Sequence, residues 1–143
     1  MIIEIPSQIL DQIHDHGEST YPEEGAGLLL GKEDGNLRVV SAILILSNAR
    51  EEGARHNRYM LSPQDLFHAE LEADRLGVDV IGVFHSHPDH PNLPSEFDRH
   101  NAVPWYSYII TSVDNGCSIE SRSWRMVDDR EQFEEEKIKI VAG

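Results

Sequence analysis

Val78-Asp79-Val80-Ile81-Gly82-Val83-Phe84-His85-Ser86-His87-Pro88 reads as a strand, apolar from Val78 to Phe84, that runs into two histidines one residue apart. The β-branched and aromatic side chains up to Phe84 favour extended backbone in a covered sheet. On an extended chain residues i and i+2 face the same way, so His85 and His87 point to one side. The seven-residue loop 88–94 contains Pro88, Pro91 and Pro94, and Ser95 to Ala102 reads as a short helix with Asp98 on its first turn. A loop of that length folds Asp98 back toward the histidines. Two imidazoles and a carboxylate suit zinc, which takes N and O donors at roughly 2.0–2.2 Å. Three protein ligands leave a position for water, the pattern of a catalytic centre rather than a structural one. Ser95 followed three residues later by Asp98 also resembles a helix-capping pair, so this spacing has two readings.

Outward from this segment, Ile2, Ile3 and Ile5 form a short strand. Pro6-Ser7 opens a helix carrying Ile9, Leu10 and Ile13, which Gly17 and the residues to Pro22 end. Ala26 to Leu30 is a buried strand, Asp34-Gly35 a hairpin signal and Leu37 to Leu46 the return strand. Arg58 to Leu61 is a possible short strand. Ser62-Pro63 starts a second helix whose apolar face is Leu66, Phe67, Ala69, Leu71, Ala73 and Leu76, up to Gly77. Tyr106 to Val113 and Cys117 to Met126 are strands joined by Asn115-Gly116. The acidic stretch Asp128 to Lys137 leads into a last strand, Ile138 to Val141. Mixed strands and helices give an α/β class, a mixed central sheet flanked by helices. With no repeat and no linker-like run, one domain is expected over residues 1–143.

Hydrophobic residues make up 39% of the 143, enough for a core. Twelve Lys and Arg against 26 Asp and Glu give a net charge of −14, which repels phosphate backbones and anionic lipid, so neither nucleic acid nor membrane is an expected partner. The longest nearly apolar run, Val39 to Leu46, has strand length rather than membrane-spanning length. The N-terminus shows no secretory signal. One cysteine, Cys117, makes no internal disulfide, and a reducing cytoplasmic setting follows most simply. Cys117 itself reads as a small core residue.

A zinc hydrolase also needs a base to collect a proton from water and pass it to the leaving amine. Glu23 and Glu24, just before the strand at Ala26, are both placed to enter a site, and spacing alone does not choose between them. His90 and His100 read as surface positions. Ser86 reads as a supporting or loop hydroxyl.

His85-Ser86-His87, seven residues, Ser95, two residues and Asp98, with an upstream glutamate, resemble the complete motif of the JAMM (MPN+) zinc metalloproteases. That family's glutamate lies three residues before a glycine in a Glu-x-x-Gly-Leu segment, which Glu24 with Gly27-Leu28 matches and Glu23 does not. Tyr21 to Gly31 is similar to the opening of short prokaryotic members, many of which carry Cys where this chain has Ala26. The likeness covers about residues 1 to 126. It implies a JAMM/MPN fold, related in shape to cytidine deaminases, and one Zn2+ per chain held by His85, His87 and Asp98. It also implies Glu24 as base and Ser95 as oxyanion donor.

The substrate implied is a ubiquitin-like or sulfur-carrier protein of the thiamin and molybdopterin type (ThiS/MoaD-type), cut after its C-terminal Gly-Gly. Alternatives are a non-catalytic MPN-type binding scaffold and general removal of ubiquitin-like tags from lysine. A DNA-linked relative or a phosphoesterase is disfavoured by the acidic charge. The one basic cluster, Arg50, Arg55, His56 and Arg58, is a candidate contact for the carrier or its tail.

Overall fold

The computed structural model describes residues 1–46, 61–126 and 132–143. Among them the order is β1 (Ile2–Pro6), α1 (Ser7–Thr20), β2 (Ala26–Asp34), β3 (Leu37–Ile45), α2 (Pro63–Leu76), β4 (Asp79–Pro88), α3 (Glu96–Asn101), β5 (Ser107–Asp114), β6 (Cys117–Met126) and β7 (Phe133–Val141). This is the expected α/β mixture, and its sheet closes on itself in the order β1-β3-β2-β4-β5-β6-β7. β1 pairs in parallel with both β3 and β7, and β4 with β5; the other neighbours are antiparallel.

β4 is buried from Ile81 to His87 between β2 and β5. Leu28, Val83 and Tyr108 stand in register across β2, β4 and β5 and share one cluster with Ala69 of α2. Phe84 and Ile109 are paired one step on and lie in a second cluster with Leu10 and Ile13 of α1. Both faces are therefore covered, which is why these strands read as continuous apolar runs rather than alternating ones. Truncating a fully buried member such as Leu28 to Ala costs about 2–5 kcal/mol.

Asn115 and Gly116 both have positive φ, 51° and 83°, as a two-residue turn joining β5 and β6 requires. Four expectations need correction. Gly17 does not end α1 but is buried inside it: a Cβ there would lie 3.2 Å from the Ser86 Cβ, so the missing side chain lets the helix settle on β4. The apolar face of α2 is only partly used. Ala69 and Ala73 are buried, small enough for close approach, while Phe67, Leu71 and Leu76 stay exposed.

The last strand starts at Phe133, not Ile138, so Glu134 to Lys137 are strand residues. Glu136 is buried there against Ser123 Oγ and Arg125 Nη2, both at 2.7 Å, and an acid with such partners is tolerated in a core. Cys117 is exposed at the start of β6, next to the turn, rather than in the core. The strand expected at Arg58 to Leu61 (Leu61 apart) and the cluster Arg50, Arg55, His56 and Arg58 lie outside the described residues. No helix among the described residues is long and apolar enough to cross a membrane.

Candidate metal centre

β4 carries both histidines within the strand itself, and its alternation turns them to one side with ring centroids 5.0 Å apart. Asp98 comes to them on α3. Its helix begins at Ser95, whose Oγ accepts the Asp98 N–H at 3.1 Å, while Asp98 Oδ2 accepts the Ser95 N–H at 2.8 Å. This reciprocal cap holds the carboxylate at the start of α3. Asp98 Oδ2 lies 3.2 Å from His87 Nε2, and Oδ1 lies 3.6 Å from His85 Nε2. One ligand atom from each of the three residues lies within 4.8 Å of the others, and all three residues are buried.

The loop 88–94 is braced at two points. Asp89 accepts the Tyr21 hydroxyl at 2.6 Å and the Asn115 N–H at 2.9 Å. The buried Asn92 donates from Nδ2 to the Glu120 carbonyl at 3.1 Å and accepts the Trp124 indole N–H on its carbonyl at 3.1 Å. Thus held, the loop offers the Pro91 carbonyl to His87 Nδ1 at 2.7 Å. A carbonyl only accepts, so Nδ1 donates to Pro91 and Nε2 is the nitrogen turned to Asp98.

Burial pushes the His85 imidazole down to about 4, the His87 charge adding to the shift and Asp98 opposing it. Burial acts on His87 in the same sense, but the Asp98 and Pro91 bonds and the charges of Asp98 and Glu24 outweigh it and raise the ring above its ordinary value. Burial works against the Asp98 carboxylate, yet the His85 charge, the His87 bond and the Ser95 N–H hold it well below the usual range. A neutral imidazole, a second with its outer nitrogen engaged and an ionised carboxylate form a donor set that fits zinc.

Glu24 lies on the turn between α1 and β2, because β2 is antiparallel to β4 with Ala26 opposite His85. Its Oε1 is 3.9 Å from His85 Nδ1, and the side chain is 10% exposed. Glu24, His87 and Ser95 line a cleft of about 470 Å³, walled by Pro88, His90, Pro91, Leu93, Glu96 and Phe97. Glu23 is not among the residues that line it. The structure brings His85, His87 and Asp98 together, sets Glu24 beside His85 and places Ser95 at the cap that holds Asp98.

The sequence misses two supporting features. His90 is exposed as expected but borders the cleft. The Pro91 carbonyl had one available signal, since a ligating imidazole needs a partner for its other nitrogen. Ser86, read as a supporting or loop hydroxyl, is a supporting one: it takes the backbone N–H of Gly25 on its Oγ at 2.8 Å, a partner 61 residues away that no local pattern announces.

The family model described as prokaryotic homologs of the JAB domain matches residues 6–127. A desampylase of Haloferax volcanii is 33% identical over 107 residues, 74% of each chain. A probable TtuB-protein conjugate cleaving protease of Thermus thermophilus is 28% identical over 114 residues, 80% of this chain and 72% of that one. A JAB1/MPN domain protein from Archaeoglobus fulgidus has the same fold, with a TM-score of 0.62 at 22% identity over 96% of this chain and 98% of that one. By its matched sequence from the start of α1 to the end of β6, and by its fold, this chain belongs to the prokaryotic homologues of the JAB domain.

Proposed function

We propose that this chain is a zinc metalloprotease that hydrolyses the peptide or isopeptide bond after the C-terminal Gly-Gly of a ubiquitin-like protein. The observation that carries the reading is the convergence of His85, His87 and Asp98, with His87 opening onto the cleft that Glu24 and Ser95 also line. Relatives named for cleaving TtuB–protein conjugates and as desampylases support a conjugate as substrate.

His85, His87 and Asp98 would hold the ion, which when bound acidifies water and polarises a carbonyl oxygen as a Lewis acid. Glu24 takes the proton of the attacking water and delivers it to the leaving amine, so one carboxylate serves as base and then acid. The Ser95 Oγ accepts from the Asp98 N–H, which leaves its own O–H to donate to the developing oxyanion; one such donor typically contributes about 10²–10³ in rate. Tails of two glycines suit the cleft because no side chain has to pass its walls.

Within that class we favour a sulfur carrier of the ThiS/MoaD type in a cytoplasmic setting, with neither nucleic acid nor membrane as partner. The charge of −14 speaks against nucleic acid and anionic lipid, and the single cysteine fits a reducing setting. The test is mass spectrometry of two substrates after incubation with the zinc-loaded protein: a Gly-Gly-linked carrier fusion and a lysine-linked conjugate. Cleavage after Gly-Gly in either is expected, and loss of the carrier fusion alone singles out maturation. Intact substrates in both, with zinc bound stoichiometrically, would leave a binding scaffold.

A further inference from the structure

Ser86 stands between the two histidines, and the alternation that turns them to one side of β4 turns Ser86 to the other. Its side chain is nonetheless buried and occupied. The Gly25 N–H donates to Ser86 Oγ at 2.8 Å, and the Ser86 N–H donates to the Gly25 carbonyl at 2.9 Å. Gly25 and Ser86 stand opposite each other one step beyond the last ladder pair, Ala26 and His85. At that step a regular antiparallel ladder uses two carbonyls as acceptors. Here a hydroxyl replaces one of them, and β2 peels away from β4 where Glu24 must enter the cleft.

The other sides of this junction are closed as well. A Cβ on Gly25 would lie 2.6 Å from Thr20 Oγ1 and 2.9 Å from the His16 ring, so the backbone at Gly25 is pressed against α1. Gly17 of the same helix packs on the Ser86 Cβ. Gly25 is thus gripped by α1 on one side and by Ser86 on the other, and Glu24 is its immediate chain neighbour.

We propose that Ser86 is a positioning residue: by holding the Gly25 backbone it aims the Glu24 carboxylate at the centre formed by its own two neighbours. The proposal rests on the reading of Glu24 as the base. It makes the strand that carries two metal ligands also the gauge that sets the distance to the base. A base misplaced by about 1 Å loses on the order of 10²-fold in rate.

The test compares Ser86→Ala, Glu24→Gln and the double variant, each loaded with zinc, on the Gly-Gly-linked conjugate. Gly25 amide hydrogen exchange is followed by NMR in parallel. Ser86→Ala is expected to lower kcat by about 10–100-fold with KM and zinc affinity unchanged. Gly25 exchange should rise about tenfold as its acceptor disappears. The double variant should be no slower than Glu24→Gln, because Ser86 acts only through Glu24.

A further loss of the same size in the double variant, a matching fall in zinc affinity or an unchanged Gly25 exchange rate would each overturn the proposal. Should Ser86→Ala fail to fold, Ser86→Cys, with a weaker acceptor of similar shape, replaces it and is expected to show a smaller change in the same direction. If the wild-type protein leaves the conjugate intact while Gly25 exchange still responds to Ser86, the backbone grip stands and the catalytic reading falls.

Discussion

Ser95 and Asp98 bond each other in both directions, the Asp98 N–H to Ser95 Oγ at 3.1 Å and the Ser95 N–H to Asp98 Oδ2 at 2.8 Å. The same Oδ2 lies 3.2 Å from His87 Nε2. The start of α3 is therefore also the mount of a metal ligand: the cap that satisfies two backbone donors leaves the carboxylate aimed at the imidazoles. The two readings of the Ser-x-x-Asp spacing are one structure.

Substitutions at Asp98 separate the two duties. Asp98→Asn keeps an acceptor for the Ser95 N–H but removes the charge, and zinc affinity is expected to fall by more than about a hundredfold. Its metal-free melting temperature should stay near that of the wild type. Asp98→Ala loses the cap as well and should cost about 1 kcal/mol more in the metal-free protein. Chelator competition and thermal melts measure the two effects; identical metal-free melts for both variants would show that the cap contributes nothing.

Glu24→Gln should retain zinc and lose about 10²–10⁴ in turnover, because the amide cannot take the proton. Glu23→Gln should turn over near the wild-type rate. Steady-state rates with metal content measured on the same samples decide this, and equal losses from both variants would mean that the base is assigned to the wrong glutamate.

Glu136 contributes to stability rather than to the cleft. Glu136→Gln leaves the Arg125 guanidinium buried with, among the described residues, Glu33 Oε2 3.7 Å away as its remaining charged partner. Breaking a buried pair of this kind costs about 3–5 kcal/mol, and the remaining Glu33 argues for the lower end. Glu134→Gln, on an exposed position of the same strand, should stay within about 0.5 kcal/mol. Denaturant unfolding of the two variants checks whether β7 is built as described.

Acid should weaken the fold through α1. Burial holds the His14 imidazole below its ordinary value against the pull of Asp11, Glu18 and Asp15, and its Nε2 lies 2.8 Å from Ser121 Oγ. The unfolded chain takes up this proton first as pH falls below about 6.5, so stability is complete above that value and declines toward the depressed folded value. His14→Gln should shrink the drop in melting temperature between about pH 7.5 and about pH 5.5. His85, pushed down to about 4, and His16, lowered by burial in the same sense, leave a residual slope. A pH dependence unchanged by the substitution would remove His14 from this account.

Much of this was legible in the residues because it is local. The two-residue period of a strand puts His85 and His87 on one side, the cap spacing sets Asp98, and Asn115-Gly116 supplies the positive φ of its turn. Where the reading failed, the deciding partner lay far along the chain. Gly17 stays helical because Ser86 faces it, Glu136 is buried because Arg125 and Ser123 receive it, and Cys117 is exposed because its strand begins outside the core.

By itself the sequence determined the chemistry on offer: two imidazoles, an aspartate and a capping serine at spacings that only backbone geometry has to honour, with two candidate glutamates upstream. Tertiary structure decided what those groups do together. The antiparallel register that sets Ala26 opposite His85 brings the turn before β2 to the cleft, and the Ser86–Gly25 bonds fix where that turn stops. Strand register depends on packing across the whole barrel, so no short stretch of residues encodes it.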